Sequence, residues 1–106
     1  MAVVGVTTLQ VKPDRMEHYI EQVARKAKPL MEKYGGKNVR LLTAVVAGEA
    51  TGTVAYIVEG DDFAAAGAVT DKLMTEPEGM ALMSSASAGD GPIASYQTTF
   101  WVDIPL

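Results

Sequence analysis

Two neighbouring runs, residues 38–47 (NVRLLTAVVA) and 53–59 (TVAYIVE), carry apolar side chains at odd and even positions alike. Successive side chains of a strand point to opposite faces. Leu41, Leu42, Ala44, Val45, Val46 and Ala47 therefore supply both faces of one strand, and Val54, Ala55, Tyr56, Ile57 and Val58 both faces of the next. An antiparallel sheet with one face in water alternates apolar and polar instead. These two strands require cover on both sides. Between them Gly48-Glu49-Ala50-Thr51-Gly52 has the length and the flanking glycines of a hairpin loop.

The rest of the chain decides what can supply that cover. Residues 2–12 are rich in β-branched side chains and stop at Pro13, which predicts a strand. Asp14 and Glu17 form an acidic capping pair before a helix whose inner stripe is Met16, Tyr19, Ile20, Val23, Ala27 and Leu30, with Gly35-Gly36 as its stop. A proline inside a helix costs about 3 kcal/mol, so Pro29 predicts a kink or break near Lys28. Asp61-Asp62 caps a second helix with Phe63, Ala66, Gly67, Thr70, Leu73 and Met74 inward. Glu76-Pro77 interrupts it, and Pro77 opens a short further helix through Met80 and Met83. Gly89-Asp90-Gly91-Pro92 is a turn, and residues 93–104 are the last strand.

The order is β-α-β-β-α-β over a single domain spanning 1–106, an α+β fold. Right-handed crossovers place both helices on one face of a four-stranded antiparallel sheet. The other face then needs a partner. Burying ~600 Å² of it is worth roughly 15 kcal/mol before association costs. A second copy, packed sheet to sheet about a two-fold axis, is the simplest cover, so a homodimer is expected.

The 106 residues carry a net charge of -4 with a pI near 4.8, which disfavours nucleic acid and anionic membrane surfaces as partners. No cysteine is present, so thiolate chemistry is excluded and a reducing, cytoplasmic setting is expected. Met1 to Gln10 lacks the basic start of a signal peptide, and no run approaches the roughly 18 apolar residues of a membrane span.

The element order, the junction VKPDRMEHYIEQV and the late segment DKLMTEPEGMALM resemble the dimeric α/β-barrel superfamily, whose subunits are ferredoxin-like. The resemblance implies a homodimer that joins two sheets into one barrel, with a cleft in each subunit between sheet and helices. Activities known in that superfamily include cofactor-independent oxygenation, haem degradation, lactone isomerisation, polyketide cyclisation and aldoxime dehydration. Fold does not choose among them.

No residue pattern assigns a catalytic group. His18, the one histidine, lies opposite the apolar stripe and is expected in solvent. Haem-degrading members of the superfamily use a histidine in the cleft, and His18 does not match that placement. No spaced His/Asp/Glu set suggests a metal, and no cofactor is expected. The candidates for binding a substrate are Tyr56, Arg40, Gln97, Trp101, Gln10 and Thr8, with Thr7 beside them. Each has a structural reading as well: Tyr56 satisfied by a buried partner, Arg40 paired with Glu59, Trp101 packed in an interface. Met74, Met80 and Met83 read as adaptable core filler.

Two functions follow. One is a protein that binds or transforms a small apolar metabolite in the cleft, as a cofactor-free monooxygenase or isomerase would. The other is a non-catalytic homodimeric structural or stress-related module, which would contain no cavity above about 300 Å³.

Overall fold

The computed structural model describes residues 2–44 and 52–106. Four strands, β1 (Val3–Val11), β2 (Lys37–Thr43), β3 (Thr53–Gly60) and β4 (Ile93–Val102), form an antiparallel sheet in the order β2-β3-β1-β4. Between β1 and β2 a continuous helix runs as α1 (Met16–Tyr19), a π-helical segment (Ile20–Ala24) and α2 (Arg25–Lys33). Between β3 and β4 lie α3 (Phe63–Thr75) and α4 (Pro77–Ser87). This is the β-α-β-β-α-β, ferredoxin-like arrangement expected from the order of elements. Of the expected hairpin between β2 and β3, residues 45–51 lie outside the described residues, as do Val45, Val46 and Ala47 of the apolar run.

The register sorts every strand residue onto one of two faces. Thr7 stands opposite both Tyr56 and Thr98, and Leu9 opposite both Val54 and Tyr96. These odd positions of β1 face the helices, where Leu9, Val11, Val54, Tyr56 and Val58 join Tyr19, Val23, Ala27, Val69 and Leu73 in one core. On the other face Val6 stands between Ile57 and Thr99, and Thr8 between Ala55 and Gln97. That face is graded along the strands. Val4, Val6, Ile57 and Trp101 lie toward one end, and Gln10, Thr53 and Ser95 close the other. Trp101 is 60% exposed and Leu42 47%, whereas Ile57 is already buried within the single chain. The expectation of apolar residues on both faces holds for β3, and the open face as a whole is less uniformly apolar than β3 alone suggests.

Local chemistry departs from expectation at four places. Asp14 and Glu17 do not make a capping pair: Asp14 has φ 61°, Arg15 occupies the cap position, and no side chain caps the helix. The cause is the tight turn in which the Arg15 N–H bonds the Lys12 carbonyl at 3.1 Å, delaying the helix until Met16. Pro29 does not break the helix, which continues to Lys33; the irregularity falls upstream, in the π-helical segment. In α3 the buried positions are Ala66, Val69 and Leu73, while Phe63 is exposed and stacks on Phe100 with ring centroids 5.3 Å apart. The stripe is rotated so that Val69 takes the inner position expected of Thr70. Met74 and Met80 are half-exposed and are not core filler.

The helix ends are well specified. Asp62 accepts from the Ala65 N–H at 2.7 Å and caps α3. At the end of α2 the Gly36 N–H bonds the Met31 carbonyl and the Gly35 N–H that of Glu32, with Gly35 at φ 101°. That paired bond pattern is a Schellman stop, which needs a left-handed residue. A side chain in that conformation costs about 1–2 kcal/mol. Gly35→Ala is therefore expected to lower the unfolding free energy in urea by about that amount. Gly89→Ala, where an added Cβ meets nothing within 4 Å, serves as the control and should change it by less than about 0.5 kcal/mol.

Candidate functional site

A cleft lies between the helices and the sheet. Its floor comes from β1 (Thr7, Leu9), β3 (Tyr56, Val58) and β4 (Ile93, Tyr96, Thr98); its roof comes from Tyr19, Val23, Met31, Thr70, Met74 and Met83. The enclosed volume is about 70 Å³. An aromatic ring needs a cavity on the order of 150 Å³. Three of the roof residues are methionines, whose unbranched side chains can yield space by rotation. Met74 and Tyr96, both close to half-exposed, mark where the cleft reaches the surface between α3 and β4.

Tyr56 is held by the helix irregularity. Its hydroxyl donates to the Ala24 carbonyl at 2.7 Å, a buried bond linking β3 to the end of the π-helical segment. Pro29 has no N–H to give its helix, and the α-helical carbonyl it leaves without a donor is that of Arg25, four residues back. The Ala24 carbonyl that accepts the phenol stands at the start of α2. Burial pushes the Tyr56 hydroxyl pKa upward, with Tyr19 and Glu32 adding to it, and burial raises that of Tyr19 to about 12. Both phenols are therefore neutral hydrogen-bonding groups. On the sheet floor the Thr7 and Thr98 hydroxyls bond each other at 2.9 Å.

The six candidates from the sequence do not converge on one ligand. Tyr56 lines the cleft, and it also walls a groove of about 270 Å³ whose rim includes Arg40 and Pro29. The Arg40 guanidinium is engaged elsewhere, by Glu59 at 3.3 Å and the Asn38 carbonyl at 3.2 Å. Thr8, Gln10 and Gln97 share a separate polar groove of about 290 Å³ on the open face, where Thr53 donates to Gln10 at 2.9 Å. Trp101 is also on the open face, its indole N–H donating to Thr99 at 2.8 Å. The reason is strand parity: Thr8 and Gln10 point away from the helices because Thr7 and Leu9 point toward them. His18 is exposed, as expected. Among the described residues no cluster of three His, Cys, Asp or Glu side chains could hold a metal ion, and no helix is long and apolar enough to cross a membrane.

Sequence reasoning missed Thr98, Tyr19 and the three cleft methionines, Met31, Met74 and Met83, as site residues. Thr98 had a signal, since it shares parity with Tyr96 and Phe100 rather than with Gln97. The methionines had none, because their spacing on a helix does not distinguish core from cleft.

With this geometry in place, the chain can be compared with known proteins. Residues 4–104 match the family model described as NIPSNAP. The chain belongs to the NIPSNAP family. That family is a member of the dimeric α/β-barrel superfamily. A NIPSNAP domain protein from Burkholderia xenovorans superimposes with a TM-score of 0.77 at 14% identity, over 96% of this chain and 94% of the other. A NIPSNAP family protein from Agrobacterium tumefaciens gives 0.71 at 12%, over 98% and 94%. A Bordetella bronchiseptica protein, provisionally named an antibiotic biosynthesis monooxygenase, gives 0.72 at 17%, over 98% of each chain. At such identities the likeness is one of fold. Among curated proteins no significant match to the chain exists.

Two outcomes follow for the buried tyrosines of this NIPSNAP protein. Tyr56→Phe leaves the Ala24 carbonyl without its phenol and should lower stability by about 1–2 kcal/mol in urea unfolding. For Tyr19, folding raises the pKa from the model-compound 10.0 to about 12. The unfolded chain then loses the proton first, so stability is intact below pH 10 and declines as pH rises toward 12. Tyr19→Phe should flatten that decline, on the order of 2 kcal/mol, when urea midpoints of the two proteins are compared across the window.

Proposed function

We propose that this NIPSNAP protein is a homodimer whose subunits each bind a small, mostly apolar metabolite in the cleft between sheet and helices. The observation that carries the reading is the cleft itself: it is lined by apolar side chains and neutral hydroxyls, and it reaches the surface between α3 and β4. Transformation of the bound molecule would be of a cofactor-free monooxygenase or isomerase kind. The provisional monooxygenase names of the Bordetella bronchiseptica and Nitrosomonas europaea relatives support that class of chemistry. The half-buried Thr98 hydroxyl would orient a substrate oxygen there, with the Tyr56 oxygen able only to accept a hydrogen bond. Arg40, Gln97, Gln10, Thr8 and Trp101 would act only from the grooves outside the cleft or from the dimer interface.

The homodimer is supported by the open face, which presents Trp101 and Leu42 to solvent beside Val4, Val6 and Ala55. A single chain leaves this patch wet, and monomers rarely keep such surface. A second reading, the non-catalytic module, draws support from the 70 Å³ volume, well under the ~300 Å³ of an ordinary ligand pocket.

Sedimentation velocity at micromolar concentration should give a dimer, and Trp101→Asp should shift it to monomer while the helices keep their far-UV signal. A monomeric parent protein would remove the dimer. Met83→Ala opens the roof and decides between the two readings. Under the first, it changes the affinity for small aromatic probes several-fold; under the second, neither protein binds them and only stability falls, by roughly 2–3 kcal/mol.

A further inference from the structure

We infer that the cleft selects uncharged ligands bearing one hydrogen-bonding oxygen, such as a phenol or a small ketone, and that the Thr7–Thr98 hydroxyl pair recognises that oxygen. This rests on the proposed reading of the cleft as a binding site and narrows what it takes. The first ground is what the lining lacks. Among the described residues no Asp, Glu, Lys, Arg or His lines the cleft. A carboxylate or ammonium brought into it would lose water and gain no counter-charge, a penalty that far exceeds that of a neutral polar group.

The second ground is hydrogen-bond arithmetic. A threonine hydroxyl has one donor proton and two acceptor lone pairs. Thr7 and Thr98 bond each other at 2.9 Å, and either can be the donor. Whichever donates, the other hydroxyl keeps its proton, and the pair keeps spare lone pairs. Tyr56, by contrast, has its proton committed to the Ala24 carbonyl. The threonine pair therefore offers one donor with acceptor capacity beside it, half-buried between Leu9 and Phe100 positions of the same face. That suits an oxygen that can accept one bond and donate another, as a phenol does, or accept alone, as a ketone does.

The pair could serve only to bridge β1 and β4, since cross-strand Thr–Thr contacts are worth roughly 0.2–1 kcal/mol. A binding experiment separates the two roles. The protein is titrated at neutral pH with p-cresol, toluene and benzoate, single-ring probes that are a neutral phenol, an apolar ring and a carboxylate. p-Cresol should bind about tenfold more tightly than toluene, the worth of one hydrogen bond. Benzoate should be weaker than p-cresol by at least about a hundredfold. The double variant Thr7→Val, Thr98→Val, nearly equal in shape, should abolish the advantage of p-cresol and leave toluene within about twofold, whereas Thr98→Ser should retain the advantage. Benzoate matching p-cresol, or the double variant weakening both neutral probes alike, overturns the inference. Toluene binding with no gain for p-cresol overturns it too while sparing the cleft as a ligand site. Failure of all three probes removes the cleft reading along with it.

Discussion

The constraint on which this molecule depends is the parity of its central strand. β1 is hydrogen-bonded on both sides, to β3 and to β4, with the same residues in register with both neighbours. A side chain on β1 therefore has no freedom to choose its layer. Val3, Leu9 and Val11 are buried under the helices, and Thr8 and Gln10 are sent to the open face. A slip of one residue would exchange the two sets and bury amides where the core now lies. The cleft, the open face and the separation between them all follow from that register.

On the helix side, a phenol of the sheet meets the end of the π-helical segment. Pro29 removes a backbone donor from a helix that nevertheless continues to Lys33. A π-helical segment precedes it, and the phenol of Tyr56 donates a hydrogen bond to the Ala24 carbonyl at that segment's end from across the core. The helix is thereby tied to the central sheet by a directional bond, in a region otherwise held by non-directional apolar packing. The same bond removes Tyr56 from the list of free polar groups in the cleft. The Thr7–Thr98 pair on the sheet floor keeps one hydroxyl proton beyond the bond the two share.

The open face has a different character. Its apolar end carries Trp101, Val4, Val6 and Ile57, and its polar end carries Gln10, Thr53, Ser95 and Gln97. A two-fold partner would satisfy this pattern best by bringing like ends together, so that amides meet amides and apolar side chains meet apolar ones. Most of the polar residues singled out from the sequence belong here, outside the cleft.

The order of elements, the strand assignments, the Asp62 cap, the Gly35-Gly36 stop and the Pro77 helix start were all legible in the sequence, because each depends on neighbours within a few positions. Membership of a dimeric α/β-barrel fold was legible too, since it needs only that order and the two-faced β3. The failures are equally local in cause. Asp14 was misread because a turn bond from Arg15 to Lys12 outcompetes a side-chain cap, and α3 was misread by a small rotation that favours Val69. What tertiary structure alone decided is which residues meet. Tyr56 finds Ala24 across 32 positions and Thr7 finds Thr98 across 91, and no local periodicity encodes either contact. Sequence determines the faces on which side chains can lie; only the register and the helix packing determine what stands opposite them, and a binding site is made of what stands opposite.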